Sequence, residues 1–385
     1  MTMDGPPNQF ESQYPGTTWA SMAMALGLRL YGPTGRYEAR ATFKTLKRRM
    51  GPLFDTRHQP NLAPFALWMY GRHAVPHAGA AAAADETIEV IVAAQRRDGD
   101  PPFFTAVVAR IDPPLFVGLE AWRNIGPHRA APFEHGSWAP ERAKSILDAA
   151  RIPLEALATA AEASALLHDS TVTATIPRVA QDEAEIAQLL DATTTVAARL
   201  AHRRKEIPKE PGEITQEQAW AAFASSAGWT FDPDRMELSG TCAGARMRVA
   251  LEGEAMRVLT WVLVEFPGRV GLQLAITKQH GPSFLNAILG YGSLPTGDVM
   301  FDEAFSVRGH PAHDVQRLLW HQPFRAAVDD LGRAAVEFEL GDSHLFVRYL
   351  SPLATEQELH RLLDRVGVVT TTFFKNAPGM QGPYR

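Results

Sequence analysis

The feature that most limits how this chain can fold is an internal repeat. Asp169-Ser170 recurs as Asp342-Ser343, and Leu189-Leu190-Asp191 recurs as Leu362-Leu363-Asp364, both at an offset of 173 residues. In each copy an Asp-Ser turn precedes an apolar strand, a polar break follows, and an amphipathic helix comes next. The pattern predicts one domain that is present twice in the chain.

Further landmarks extend the repeat towards the start of each copy. Their order is the same in both copies while the offset between them changes, as loop insertions would produce. The alternative interpretation is chance similarity between two stretches of mixed helices and strands. The paired landmarks are Trp19 and Gly27 with Trp220 and Gly228, Thr105–Ile111 with Thr260–Phe266, Gly118-Leu119 with Gly271-Leu272, Gly136 with Gly309, and Pro153 with Pro323.

Strand patterns joined by short turns predict antiparallel hairpins, with helices at both ends of each copy. In the second copy, hairpins are predicted around Pro267-Gly268 and Gly341-Asp342. Because crossover helices do not separate the strands, a doubly wound nucleotide-binding sheet is disfavoured. The predicted class is α+β: two diverged copies of one domain, each an antiparallel sheet with flanking helices.

The predicted domain boundaries follow from the repeat and from a charged segment between the copies. That segment, AHRRKEIPKEPGEIT, contains prolines and a glycine and lacks apolar periodicity, which is typical of a linker whose first residues could continue the preceding helix. Thr215 and Gln218 are predicted to form a capping box for a helix at Glu217–Ala227. The expected organisation is a flexible N-terminus at 1–14, a first copy at 15–200, a linker at 201–215, a second copy at 216–375 and a flexible tail at 376–385.

Charge and cysteine content narrow the functional classes. The formal net charge of −5 lacks the basic surplus of a nucleic-acid binder, so no nucleic-acid partner is expected. The single cysteine, Cys242, excludes an intrachain disulfide and favours a reducing compartment. The first residues do not resemble a signal peptide, and no apolar run is long enough to cross a membrane, so we expect a cytoplasmic protein without membrane insertion.

A segment of the second copy, Thr296–Gly309 with the sequence TGDVMFDEAFSVRG, carries a spaced Gly-Asp and Phe-Asp pattern. It resembles uncharacterised bacterial domain-of-unknown-function proteins that carry a Gly-Asp-x-x-Phe-Asp-x-x-Phe-x-Val segment. The resemblance implies a bacterial origin and brings no catalytic residue with it. The first copy departs from the pattern, since it has only Pro132-Phe133-Glu134 before Gly136.

Two groups of side chains in this region could carry chemistry. His310, His313 and Asp314 could bind zinc or a similar ion, but the set lacks a further histidine at a suitable spacing and Asp314 suits the first turn of a helix. Asp298, Asp302 and Glu303 could act as an acid/base set or bind a divalent cation, although carboxylates near glycine are usually turn formers. We therefore predict no metal site and no cofactor.

The long insertion Gln279–Ala304 of the second copy is a candidate place for a binding site, and the alternative is a plain connection that happens to be long. It contains several glycines together with Tyr291, and long loops on rigid scaffolds often carry function. The candidate residues for binding a ligand or partner are Tyr291, Asp298, Asp302, His310 and His313; the catalytic residues remain unknown.

Two functional hypotheses follow. The first is a non-catalytic binding or scaffolding protein of the bacterial cytoplasm, with an unknown protein or small molecule as its partner. The second is an enzyme whose site is built around residues 281–313. An enzyme should gather polar side chains of that segment in one concave pocket, whereas a scaffold should expose an apolar patch.

Overall fold

The computed structural model describes residues 16–31, 67–76, 86–96, 103–124, 134–137, 139–162, 164–254, 257–268, 271–279 and 293–376. The chain divides into two compact units. The first runs to Pro208 and includes Gly253–Arg257, and the second comprises the remainder from Lys209 onward. Each unit combines helices with an antiparallel sheet, which confirms the predicted α+β class.

The first unit contains described helices before and after its sheet and a helix pair within it. The helices are α1 (Gly16–Ala25), α2 (Pro140–Ala149), α3 (Arg151–Ala160) and α4 (Glu183–Glu206). The strands are β1 (Arg29–Tyr31), β2 (Leu67–Ala74), β3 (Thr87–Arg96), β4 (Phe103–Arg110), β5 (Glu120–Asn124), β6 (Glu134–Gly136), β7 (Ser164–His168) and β8 (Thr171–Ile176).

The second unit has its elements in a closely similar order, with one additional short helix among those described. The helices are α5 (Pro211–Ala227), α6 (Val299–Ala304), α7 (Ala312–Trp320), α8 (Gln322–Ala334) and α9 (Glu356–Asn376). The strands are β9 (Thr230–Asp232), β10 (Glu237–Cys242), β11 (Ala245–Glu254), β12 (Arg257–Glu265), β13 (Ala275–Lys278), β14 (Phe305–Arg308), β15 (Glu337–Gly341) and β16 (His344–Tyr349).

The two sheets have the same strand order. In the first unit the order is β1-β2-β3-β4-β8-β7-β5-β6. In the second it is β9-β10-β11-β12-β16-β15-β13-β14, so each strand of one sheet has a counterpart at the same place in the other. In each unit the fourth strand, β4 or β12, pairs with the last strand, β8 or β16. The final long helix of the unit follows this last strand.

Side chains alternate between the two faces of each sheet, and the core of each unit lies between one face and the last helix. In the first unit Val107 and Val172 on neighbouring strands join the same buried cluster as Leu190 and Leu200 of α4. In the second unit the ring of Phe373, on α9, lies 5.1 Å from that of Phe266 and 6.0 Å from that of Phe324. These residues are buried, and their transfer out of water provides much of the stability of each unit.

A buried tryptophan anchors the first described helix of each unit at an equivalent place. Trp19 of α1 donates its indole N–H to the carbonyl of Ala180 at 3.2 Å. Trp220 of α5 donates its indole N–H to the carbonyl of Leu353 at 2.7 Å. Both acceptors lie between the last strand and the last helix of their unit, so the two contacts fix the same pair of segments.

A buried threonine fastens that same segment in each unit. Thr105 and Thr260 each donate their hydroxyl to one carbonyl and accept a hydrogen bond from the amide two residues further along. The hydrogen bonds of Thr105 with the Arg178 carbonyl and the Ala180 N–H are 2.9 and 2.8 Å long. Those of Thr260 with the Ser351 carbonyl and the Leu353 N–H are 3.1 and 2.9 Å long.

The aspartate of the repeated Asp-Ser turn accepts backbone hydrogen bonds from a loop in both units. The carboxylate of Asp169 accepts hydrogen bonds from the backbone N–H groups of residues 117–119 at 2.8 to 3.3 Å. The carboxylate of Asp342 accepts them from residues 273–274 at 2.7 and 2.9 Å. Each aspartate thus holds a loop that contains a glycine with positive φ, Gly118 or Gly271.

The predicted hairpin around Pro267-Gly268 is wrong. The strand before it, β12, pairs with β16, and the strand after it, β13, pairs with β14 and β15. The N–H of Phe266 donates to the carbonyl of Ser343 at 2.9 Å, so the chain leaving β12 meets the turn of the β15–β16 hairpin. The hairpin β15–β16 is therefore inserted between two strands that are consecutive in sequence.

The predicted linker 201–215 is mostly helical. Helix α4 ends at Glu206 and α5 begins at Pro211, which leaves 207–210 between them. The predicted helix start at Glu217 and its capping box at Thr215 and Gln218 are wrong, because Glu210 and Glu213 form the capping box. Proline fits the first turn of a helix without losing a hydrogen bond, and this favours the earlier start.

Candidate functional site

The short helix α6 and the residues before it build the corner that the sequence motif TGDVMFDEAFSV encodes. Gly297 adopts a φ of +82°, a conformation that other residues rarely adopt. The side chain of Asp298 then caps α6 by accepting a hydrogen bond from the N–H of Phe301 at 3.2 Å. Asp298 is thus the helix N-cap that follows the turn, in agreement with its turn-forming interpretation.

Asp302 holds the same corner from the other side. Its carboxylate accepts hydrogen bonds from the N–H of Thr296 at 3.0 Å and from the Thr296 hydroxyl at 2.8 Å. Thr296 is buried, so these bonds satisfy polar groups that water does not reach. Two carboxylates of the predicted acid/base set, Asp298 and Asp302, thus accept hydrogen bonds within one and the same turn.

The apolar residues of the motif fill the space beneath this corner. The rings of Phe301 and Phe305 have centroids 4.7 Å apart, and the ring of Phe338 lies 5.6 Å from that of Phe305. Phe301, Phe305 and Val307 are buried. Every residue that defines the motif therefore has a structural task in the described part of the second unit.

Arg325, which the sequence did not single out, connects this corner to the neighbouring helices. Its Nε lies 3.2 Å from Asp298 Oδ2, and its Nη1 donates to the carbonyl of Leu319 at 3.1 Å. Arg325 lies in the first turns of α8, whereas Leu319 lies near the end of α7. No sequence signal pairs Arg325 with Asp298, because the contact depends on how α6 and α8 pack.

The two histidine residues of the predicted ligand set have different contacts. The backbone N–H of His310 donates to the carbonyl of Leu272 at 2.7 Å. The side chain of His313 is 78% exposed, and its Nε2 lies 3.3 Å from Asp314 Oδ1. Within the described ranges, no group of three or more His, Cys, Asp or Glu side chains is arranged to hold a metal ion. Tyr291, the remaining candidate, lies outside the described residues.

The first unit has a cleft of about 310 Å³ whose lining includes Glu162, Arg178 and Glu185. Arg178 donates to both oxygens of Glu162, one of them at 2.9 Å, and also to Glu185. These hydrogen bonds, chiefly the one to Glu162, raise the pKa of Arg178 above its ordinary value. The carboxylates of Glu162 and Glu185 therefore form ion pairs with an arginine of the same unit.

Two buried titratable groups have shifted pKa values without the surroundings of a catalytic site. Burial raises the pKa of Asp169 to about 6, although three backbone N–H bonds and the charge of Arg204 act in the opposite direction. Burial also raises the pKa of the Cys242 thiol to about 11. A thiol that stays protonated at neutral pH is a poor nucleophile, so Cys242 behaves as a small apolar residue.

Exposed apolar side chains distinguish the surface next to the motif. Val299 and Met300 of α6 are 69% and 60% exposed, and Trp320 at the end of α7 is 66% exposed. Large side chains of this kind are usually buried, so these exposed residues are candidates for contact with a partner.

Comparisons with protein families, with curated proteins and with solved structures found no match to this chain. None of the described helices is both long enough and apolar enough to cross a membrane.

Proposed function

We propose that this chain is a non-catalytic binding or scaffolding protein of the bacterial cytoplasm, with two units that descend from one duplicated domain. The observation that carries the proposal is the use of the motif carboxylates. Asp298 caps α6 and pairs with Arg325, while Asp302 accepts its bonds from Thr296. A catalytic carboxylate needs to face a substrate, and these two face their own chain.

The duplication is supported by side-chain contacts as well as by strand order. The tryptophan, threonine and aspartate contacts recur at equivalent places in the two units. Packing alone does not require the same hydrogen bond from the same residue type in two separate sheets. A common ancestor accounts for all three together with the shared order β1-β2-β3-β4-β8-β7-β5-β6.

The alternative is an enzyme whose site is built around residues 281–313. In the described part of that segment, 293–313, Thr296, Asp298 and Asp302 hydrogen-bond within the corner around α6, and the apolar side chains of Val299 and Met300 are exposed. This arrangement favours a binding surface over a catalytic pocket.

The class of partner and the compartment follow from charge and cysteine chemistry. A net charge of −5 gives no electrostatic attraction for nucleic acid, so the partner is a protein or a small molecule. The one cysteine, Cys242, is free and buried, which fits a reducing compartment such as the bacterial cytoplasm.

The test is to reconstitute the purified chain with the partner that it captures from bacterial lysate and to follow both components by intact mass spectrometry. We expect a saturable complex in which neither component changes mass over many hours. A steady chemical change in the partner that Asp302→Asn abolishes, without loss of folding, would instead establish an enzyme.

A further inference from the structure

We draw no further inference here: the strongest candidate, the cleft of about 310 Å³ lined from the end of α3 and the start of α4 in the first unit, carries nothing because Glu162 and Glu185 already form ion pairs with Arg178 there and no further feature of the described residues points to a ligand.

Discussion

Gly332 of α8 lies directly against the ring of Phe305, so that a Cβ at this position would be 2.3 Å from Phe305 Cε1. The helix thereby approaches the aromatic cluster of the motif more closely than any other residue would permit. A glycine within a helix ordinarily lowers its stability relative to alanine. Here the close approach explains why the smallest residue is present.

We expect Gly332→Ala to lower the free energy of unfolding of the second unit by about 1 to 3 kcal/mol, because the added methyl overpacks the contact with Phe305. Gly212→Ala is the matched control, since a Cβ at Gly212 in α5 meets no atom within 4 Å. That change should be neutral or slightly stabilising. Urea unfolding of both variants measures the difference, and equal stabilities would contradict the close contact.

Asp302→Ala should destabilise the second unit by about 1 to 3 kcal/mol, because the N–H and hydroxyl of buried Thr296 lose their acceptor. Asp298→Ala should cost about 1 kcal/mol through loss of the helix cap. Glu303→Ala, an exposed neighbour in the same helix, serves as the control and should change stability by less than about 0.5 kcal/mol. Thermal melting would disprove this structural role if all three variants were as stable as the original chain.

The buried carboxylate of Asp169 predicts a specific pH dependence. Its pKa in the folded chain, about 6, lies above its ordinary value of about 3.8, so the folded state holds the proton more tightly than the unfolded state. This contribution to stability is therefore largest below pH 4 and is lost as the pH rises to about 6. The loss amounts to about 3 kcal/mol, since one pKa unit corresponds to about 1.4 kcal/mol.

The measurement compares the chain with Asp169→Asn by denaturant unfolding from pH 4 to pH 7, with hydrogen exchange in β4 and β8 reporting on the first unit. The stability of the original chain relative to the variant should fall across this range. Asp342→Asn is the control for removal of an aspartate from the equivalent turn. Parallel pH profiles for the original chain and Asp169→Asn would show that Asp169 does not titrate in this range.

We expect the purified chain to hold no stoichiometric zinc or iron. His313 is largely exposed, and among the described residues no group of three or more His, Cys, Asp or Glu side chains is placed to hold a metal ion. Elemental analysis of the chain and of the His310→Ala/His313→Ala double variant provides the test. A metal that is present at one per chain and disappears in the double variant would prove this expectation wrong.

The sequence predicted local elements more successfully than contacts between them. The predicted hairpin around Gly341-Asp342 is confirmed as β15 and β16, because two strand patterns are joined there by a short turn. Helix α6 was missed, since its six residues are too few to show a period. Strand β13 was assigned the wrong partner because consecutive strands usually pair, whereas here a later hairpin lies between them.

The candidate site shows the same limit. The role of Asp298 as a turn former could be predicted from the glycine before it. Its ion pair with Arg325 could not, because the two residues meet only when α6 and α8 pack together. The exposure of Trp320 was equally hidden, since a tryptophan at the end of an amphipathic helix is ordinarily expected to pack inward.

In each unit the fourth strand pairs with the last strand, and this pairing determines when the unit can fold during synthesis on the ribosome. Neither sheet can close until its final strand, β8 or β16, has been synthesised. The first unit has its last strand once Ile176 has emerged and its last helix once Glu206 has emerged, so it can fold while the second is still being translated. A ribosome that stops before Tyr349 would release a chain with a finished first unit and an open second sheet, whose unpaired β12 edge is a target for chaperones and proteases.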